Sequence, residues 1–133
     1  MKTNMKAFIS GFISTLVFHQ GIIGLLFLAK VIPFAPYDMT PNSFGVPGII
    51  SLAFFGGLWG MLIWHLVKKD QGAKHWAKAT IFGAIGPTVV AFLVVFPLKG
   101  ITVKAAMIPI GLILNGAWGF GNSFFMKLMK ENN

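Results

Sequence analysis

The stretch Gly48–Val67 reads GIISLAFFGGLWGMLIWHLV and holds no lysine, arginine, aspartate or glutamate. A helix needs about 20 predominantly apolar residues to cross the hydrocarbon core of a bilayer, and this stretch supplies them. Because backbone N–H and C=O groups must pair with each other in lipid, a run of this kind favours a helix over any open structure. The stretch therefore predicts a transmembrane helix.

Three further apolar segments predict three more spans, at about 7–32, 76–97 and 105–128. The lysines inside them, Lys30, Lys78 and Lys127, stand near segment ends. The sequence thus predicts an all-α fold, in which residues 1–133 form a single transmembrane domain. Since short connections make consecutive helices antiparallel neighbours, we expect the four helices to form two hairpins.

The composition of the whole chain agrees with an integral membrane protein. Of its 133 residues, 56% are hydrophobic and 11% are charged, and the mean hydropathy is +0.77. Soluble domains carry roughly 25% charged residues, so an ordinary soluble domain is excluded. The absence of cysteine removes disulfides, thiolate metal sites, Fe–S clusters and cysteine nucleophiles from consideration.

The charge distribution predicts an orientation. The basic residues are 11 lysines, and with three acids they give a net charge of +8. Eight lysines lie on the side of the termini and the second connection, whereas Lys30, Lys99 and Lys104 lie on the other side. The positive-inside rule then places both termini in the cytoplasm. Because the lysines flank apolar segments, we expect a bilayer and no nucleic acid as their partner.

Two pairs of segments share local sequence. Gly57–Gly60 (GLWG) in the second segment matches Gly116–Gly119 (GAWG) in the fourth, and a lysine follows each tryptophan after nine residues. In the first and third segments, one constant offset relates Ile9, Gly11 and Ile13 to Ile81, Gly83 and Ile85. The matches indicate a parallel repeat with a pseudo-twofold axis along the membrane normal. A chance match explains them equally well, because short motifs recur by accident.

Small residues four positions apart predict close helix packing. The pairs are Gly56 with Gly60 and Ala117 with Gly121. Helices in lipid associate through close backbone approach, and small side chains permit it. Trp59 and Trp118 lie too deep for an interfacial belt, so they are expected to pack against glycines of a neighbouring helix. Packing within one chain is the favoured interpretation, and a homo-oligomer built on the same faces is the alternative.

Counting at about 1.5 Å per residue places four polar residues near the middle of the predicted spans. These residues are His19, Gln20, Thr88 and Asn115. Polar groups at this depth are costly unless they meet one another or water, so the layer is the candidate functional site. A structural network that fixes helix register is the competing interpretation. We expect His19 to contact Thr88 or Asn115, with Gln20 the less favoured partner.

The predicted spans contain no carboxylate, and this limits the chemistry. Small four-helix proton-coupled exporters depend on an embedded glutamate, and neither a Ser-His-Asp grouping nor an intramembrane acid pair is evident. The chain is therefore predicted not to be an enzyme, and no cofactor is assigned to it. A weak candidate for a Cu(I) site combines thioether and imidazole side chains, which suit that ion. Methionine more often fills gaps in a core. The members of this weak Cu(I) set are Met61, His65, Met126 and Met129.

Three stretches resemble a group of small, uncharacterised four-helix proteins of bacterial inner membranes. They are Val17–Gly21 (VFHQG), Phe44–Pro47 (FGVP) and Val94–Gly100 (VVFPLKG). The resemblance implies a multi-pass protein of a bacterial inner membrane. It implies no activity and carries over no functional residue.

Three functions remain open from the sequence. The first is a homo-oligomeric channel or transporter for a small polar or protonatable solute, which would use the central polar layer. The second is a non-catalytic subunit or assembly factor of a larger membrane complex, which would dock through its glycine faces. The third is a membrane haem or Cu(I) binder, for which the three histidines stand at poorly matched depths.

Overall fold

The structure is a computed structural model that describes residues 2–129, so Lys130 and Glu131 of the charge count lie outside the described residues. Its long elements are four helices, which we label in chain order: α1 Thr3–Leu28, α2 Gly48–Val67, α3 Gly72–Leu98 and α4 Met107–Leu128. Of these, α1, α2 and α3 are long and apolar enough to cross a membrane. The all-helical prediction is confirmed.

Helix α4 differs from the other three in composition. Its 22 residues suffice for a span, but Asn115, Asn122, Ser123 and several glycines make it less apolar. It packs against all three other helices, most extensively against α3 and α1. Because its polar groups are turned toward protein, α4 does not need the apolarity of a lipid-facing helix. Its crossing of the membrane stays a prediction.

The helix bounds differ from the predicted ones mainly at α1 and α3. Helix α1 ends at Leu28 rather than near residue 32, because Lys30 adopts a left-handed conformation with φ of 63°. There the N–H groups of Lys30 and Val31 donate to Phe27 O and Leu26 O, the pattern of a Schellman stop. Helix α3 begins at Gly72, before the predicted residue 76, and α4 begins at Met107, after residue 105.

Two helices contain a π-helical turn, at Thr15–His19 in α1 and Ala91–Val95 in α3. In α1 the turn follows a crowded carbonyl, since Gly11 O accepts from Thr15 Oγ1 at 2.9 Å and from Trp118 Nε1 at 3.0 Å. A π turn holds more residues than an α turn and therefore rotates the following side chains about the helix axis. This rotation affects where His19 and Gln20 point.

Consecutive helices run in opposite directions, so the bundle has two ends at which helix starts and helix ends meet. Asn4 at the start of α1 bonds His65 near the end of α2, and His75 at the start of α3 bonds Ser123 near the end of α4. We call this the basal end, and the opposite one the distal end. Helix α1 packs against α2 and α4, and α3 packs against α4, whereas α2 and α3 touch less.

Glycines bring the helix backbones into contact at two crossings. Where α1 meets α2, a Cβ on Gly60 would lie 2.7 Å from Ala7 O and 2.9 Å from Gly11 Cα. Where α3 meets α4, a Cβ on Gly83 would lie 2.7 Å from Gly119 Cα. Real Cβ atoms do not approach that closely, so these positions require glycine. Basal to both crossings, Trp64, Val67 and Met126 form a fully buried apolar cluster with Ala7 and Ala79.

Candidate functional site

The four residues of the predicted polar layer form two separate groups. In the first group, Asn115 Nδ2 donates to Thr88 Oγ1 at 2.9 Å, and Thr88 Oγ1 donates to Gly111 O at 3.2 Å. Thr88 is 4% exposed and follows Pro87 within α3. These bonds tie α3 to α4 and satisfy the threonine hydroxyl as both donor and acceptor.

The second group lies on α1, with the connection that follows it. Gln20 Nε2 donates to His19 Nδ1 at 3.1 Å, and Gln20 Oε1 accepts the Tyr37 N–H at 2.7 Å. The Tyr37 hydroxyl donates to Leu16 O, inside the π turn, at 2.7 Å. Gln20 is buried and His19 is partly buried. The group therefore holds the α1–α2 connection against α1.

The expected contact of His19 with Thr88 or Asn115 is wrong, because His19 pairs with Gln20 instead. Two features of α1 explain the difference. The helix runs from Thr3 to Leu28, so its middle lies nearer Thr15 than His19. The π turn then rotates the side chains that follow it, and Tyr37 reaches Gln20 from the connection. Depth counted along a straight helix could not anticipate either feature.

The contact between α1 and α4 is a second polar region. Ser14 Oγ donates to Trp118 O at 2.7 Å, and Trp118 Nε1 donates to Gly11 O at 3.0 Å. Trp118 is 3% exposed. Gly121 lies beside Ser14 and Phe18, where a Cβ would clash with both. The first and last helices are thus joined by reciprocal side-chain-to-backbone bonds.

The other predicted packing residues lie where helices meet. A Cβ on Gly56 would clash with Thr15, and one on Gly60 would clash with Ala7, so both glycines of α2 face α1. Trp59 faces α3, where a Cβ on Gly86 would lie 3.0 Å from Trp59 Cζ3. Ala117 is partly buried on α4.

His75 is a buried residue outside the predicted polar layer. Its Nδ1 donates to Val67 O at 2.9 Å, its Nε2 accepts from Ser123 Oγ at 2.9 Å, and the ring is 0% exposed. Trp64 and Trp76 meet the ring edge-on. The sequence placed His75 in a loop, whereas its four-residue spacing to Ala79 would have put both on the packed face of a helix.

Asn122 and Ser10 were also missed, and each has an unpartnered buried oxygen. Asn122 Nδ2 donates to Gly60 O at 3.2 Å. Among residues 2–129, Asn122 Oδ1 and Ser10 Oγ have no hydrogen-bond partner, and both residues are 0% exposed. Ser10 lies one turn from Ser14, and Asn122 lies one turn from Trp118, on the α1 and α4 faces that meet.

The weak Cu(I) set is divided between core and surface. Met126 belongs to the basal apolar cluster, and Met61 and Met129 pack against that cluster. His65 is exposed, and its Nε2 lies 2.6 Å from Asn4 Oδ1. Within residues 2–129, no three His, Cys, Asp or Glu side chains gather in a metal-binding group. This placement favours packing as the role of the methionines, and copper binding stays a prediction.

The basal connection between α2 and α3 contains one acidic residue, Asp70. Lys78 Nζ lies 2.6 Å from Asp70 Oδ2, and Lys74 Nζ lies 3.2 Å from Asp70 Oδ1. The hydrogen bond from Lys78 lowers the pKa of the Asp70 carboxyl below its ordinary value of 3.8. At the distal end, the Thr40 N–H donates to Asp38 Oδ1 at 2.9 Å and lowers the pKa of that carboxyl.

A surface groove of about 250 Å³ lies between α1 and α2 at the basal end. Its lining consists of Asn4, Met5, Phe8 and Ile9 from α1 and Met61 from α2.

Comparison with protein-family models, curated proteins and solved structures finds no match to this chain.

Proposed function

We propose that this chain is a non-enzymatic protein of a bacterial inner membrane that serves as a packed helical subunit or assembly factor of a larger membrane complex. One observation carries the proposal: buried polar side chains bind the backbone or side chains of neighbouring helices. Asn115 binds Thr88, Ser14 binds Trp118 O and Asn122 binds Gly60 O. Such bonds fix helices against one another.

The glycine crossings support the same proposal. Gly11 lies against Gly56 and Gly60, and Gly83 lies against Gly119. Backbones in contact at these crossings fill the volume that a solute pathway through a single chain would need. Large apolar side chains point outward from the same helices, for example Phe55 at 58% exposure and Ile85 at 52%. An outer surface of this kind suits lipid or the helices of a partner.

The proposed topology has four spans arranged as two hairpins, with both termini cytoplasmic. The lysine bias supports the orientation, because basic residues accumulate on the cytoplasmic side. Matched contacts support a parallel repeat of the hairpins. Gly60 lies on Ala7 and Gly11, and Gly119 lies on Ala79 and Gly83, which have the same four-residue spacing.

Electrophoresis under native conditions tests the subunit proposal. Membranes that contain the tagged chain are solubilised in mild detergent and run beside the purified chain. We expect the chain in membranes to migrate with a larger complex, and the purified chain to migrate at the mass of its own oligomer. Equal migration of the two would contradict the proposal. Purified chain in liposomes is also expected to give no proton flux above protein-free vesicles.

A homo-oligomeric channel or transporter is the second candidate, and the unpartnered oxygens of Ser10 and Asn122 favour it. Asn122 stands two helical turns from Asn115, so both amides share one face of α4. Polar groups on one face of a spanning helix are typical of a solute path. If this candidate is right, liposome flux is present and falls in Asn122→Leu, while Leu112→Ala, an exposed change on the same helix, leaves it unchanged.

A further inference from the structure

We propose that the groove between α1 and α2 at the basal end binds an anionic phospholipid, with an acyl chain against the apolar lining and the phosphate at the basal lysines. The inference rests on the proposed insertion of the bundle in a membrane. It adds a ligand to a surface that the subunit proposal does not use.

The groove offers an apolar channel along the helices. Met5, Phe8 and Ile9 line it from α1, and Met61 lines it from α2. Phe8 lies deep because Gly57 of α2 has no side chain, and a Cβ there would approach the Phe8 ring to 2.5 Å. Phe8 also meets Phe54 edge-on, with ring centroids 5.6 Å apart. The thioether side chains on both walls and the Phe8 ring on the α1 wall match an acyl chain.

The basal mouth of the groove is polar and offers donors. Asn4 lines the groove, and its Oδ1 lies 2.6 Å from His65 Nε2. Because an amide oxygen only accepts, His65 Nε2 donates in this bond. The Asn4 amide nitrogen also carries two N–H donors. An oxygen-rich, acceptor-only group such as a phosphate diester complements them.

The charge around the mouth is positive. Lys68 and Lys69 follow His65 by three and four residues, and Lys2 precedes Asn4 by two. Asp70 pairs with Lys74 and Lys78 on the α3 side. Over residues 2–129, no carboxylate forms an ion pair with Lys2, Lys68 or Lys69. An anionic headgroup supplies the missing counter-charge, whereas a second copy would bring the same lysines and repel.

Lipid titration of the purified chain in detergent micelles tests the inference, with lipid retention measured by native mass spectrometry. The probes are dioleoyl phosphatidylglycerol and dioleoyl phosphatidylcholine. We expect tighter retention of the anionic lipid. One basic side chain near an anionic surface contributes about fivefold in affinity, so the double variant Lys68→Gln/Lys69→Gln should weaken retention roughly thirtyfold. The matched control, Lys99→Gln/Lys104→Gln at the distal end, should leave it unchanged.

A second pair of variants tests the apolar half of the site. Met5→Trp fills the groove, and Leu62→Trp places the same ring on α2 outside it. Both positions are exposed, at 55% and 50%, so both variants are expected to fold. Only Met5→Trp should lower retention of phosphatidylglycerol. Equal loss in both variants, or in both lysine pairs, would overturn the inference.

Two other outcomes identify a different occupant and also overturn the proposal. Complete displacement of the lipid by excess inorganic phosphate would mean a free-anion site. A change in copy number in Met5→Trp, with lipid retention intact, would mean that a second chain covers the groove. Because these measurements use purified chain, they are independent of the native-electrophoresis test. The lipid site and the subunit role can therefore fail separately.

Discussion

The basal and distal parts of the bundle are packed in different ways, although both consist of long apolar helices. Basally, each helix carries closely spaced buried residues, as from Trp118 to Met126 on α4. Distally, within the described chain, no residue is buried from Val89 to Leu98 or from Met107 to Ile113. Several of the small and polar residues that make close helix contacts, among them Gly60, Ser14 and Asn122, lie in the basal part. Small and polar side chains decide where these helices meet, and apolar ones decide what surrounds them.

The largest expected effect comes from glycines of one helix on either side of this division. Gly11 lies in the basal crossing, where a Cβ would overlap Gly56 O, whereas a Cβ on Gly21 meets nothing within 4 Å. We expect Gly11→Ala to lower the free energy of unfolding by about 3 kcal/mol. Gly21→Ala should raise it by about 0.5 kcal/mol, because alanine favours the helix.

Unfolding by SDS titration measures both glycine variants. If Gly11→Ala is as stable as Gly21→Ala, the backbones do not touch at the basal crossing. The comparison between the two parts of the bundle would then lose its physical basis.

The next effect concerns two basal histidines. His75 is fully buried with both ring nitrogens bonded, whereas His65 is exposed. His75→Phe leaves Val67 O and Ser123 Oγ without their partner and should cost about 2 kcal/mol. His65→Phe should change the free energy of unfolding by less than about 0.5 kcal/mol. Equal effects in the same titration would show that burial does not distinguish these residues.

A smaller effect is expected for Trp59 and Trp118, the two tryptophans of the proposed repeat. Trp118→Phe removes the N–H that bonds Gly11 O, and bonds of this kind between helices contribute about 1 kcal/mol. Trp59 packs on Gly86, so Trp59→Phe should cost less. The π turn of α1 should also relax in Trp118→Phe, which amide hydrogen exchange at residues 15–19 can detect. Unchanged exchange at residues 15–19 would show that the Trp118 hydrogen bond does not stabilise the π turn.

The smallest effect is electrostatic and compares the two ends through their carboxylates. The Lys78 bond lowers the pKa of Asp70, so its stabilisation is present above the unfolded pKa and is lost as pH falls through the folded pKa. At pH 7 the midpoint of thermal unfolding should therefore be lower in Asp70→Asn than in the parent, and this difference should vanish in acid. Asp38→Asn at the distal end should show the same sign, since Thr40 lowers its pKa. A difference that persists in acid would exclude the ion pair as its cause.

The sequence predicted the structure well where hydropathy along the chain decides it. The predicted span 48–67 coincides with α2, because Pro47 precedes an uninterrupted apolar run and lysines follow it. The end of α1 was missed because Lys30 takes a left-handed conformation that its residue type does not suggest. The start of α3 was missed because Lys74 looks like a loop residue, although it lies within α3 and pairs with Asp70.

The candidate site was harder to predict than the fold for a geometric reason. Counting depth brought Thr88 and Asn115 to one level, and they do bond. Depth counting could not predict the rotation of His19 and Gln20, because that rotation depends on the π turn Thr15–His19. The turn follows Gly11, whose carbonyl accepts a hydrogen bond from Trp118 of α4. Ser10, Ser14 and Asn122 follow four- and seven-residue spacings, which become informative only once the partner helix is known.

The bond between Ser14 and Trp118 links residues 104 positions apart, and this sets an order on the biogenesis of the chain. The ribosome delivers α1 first and α4 last, so in the proposed membrane topology the serine face of α1 stays uncovered by α4 while about three-quarters of the protein is made. During that interval an insertase or another resident of the membrane can occupy the face that α4 later claims. A chain truncated before Trp118 would keep this face open and become a substrate for membrane quality control.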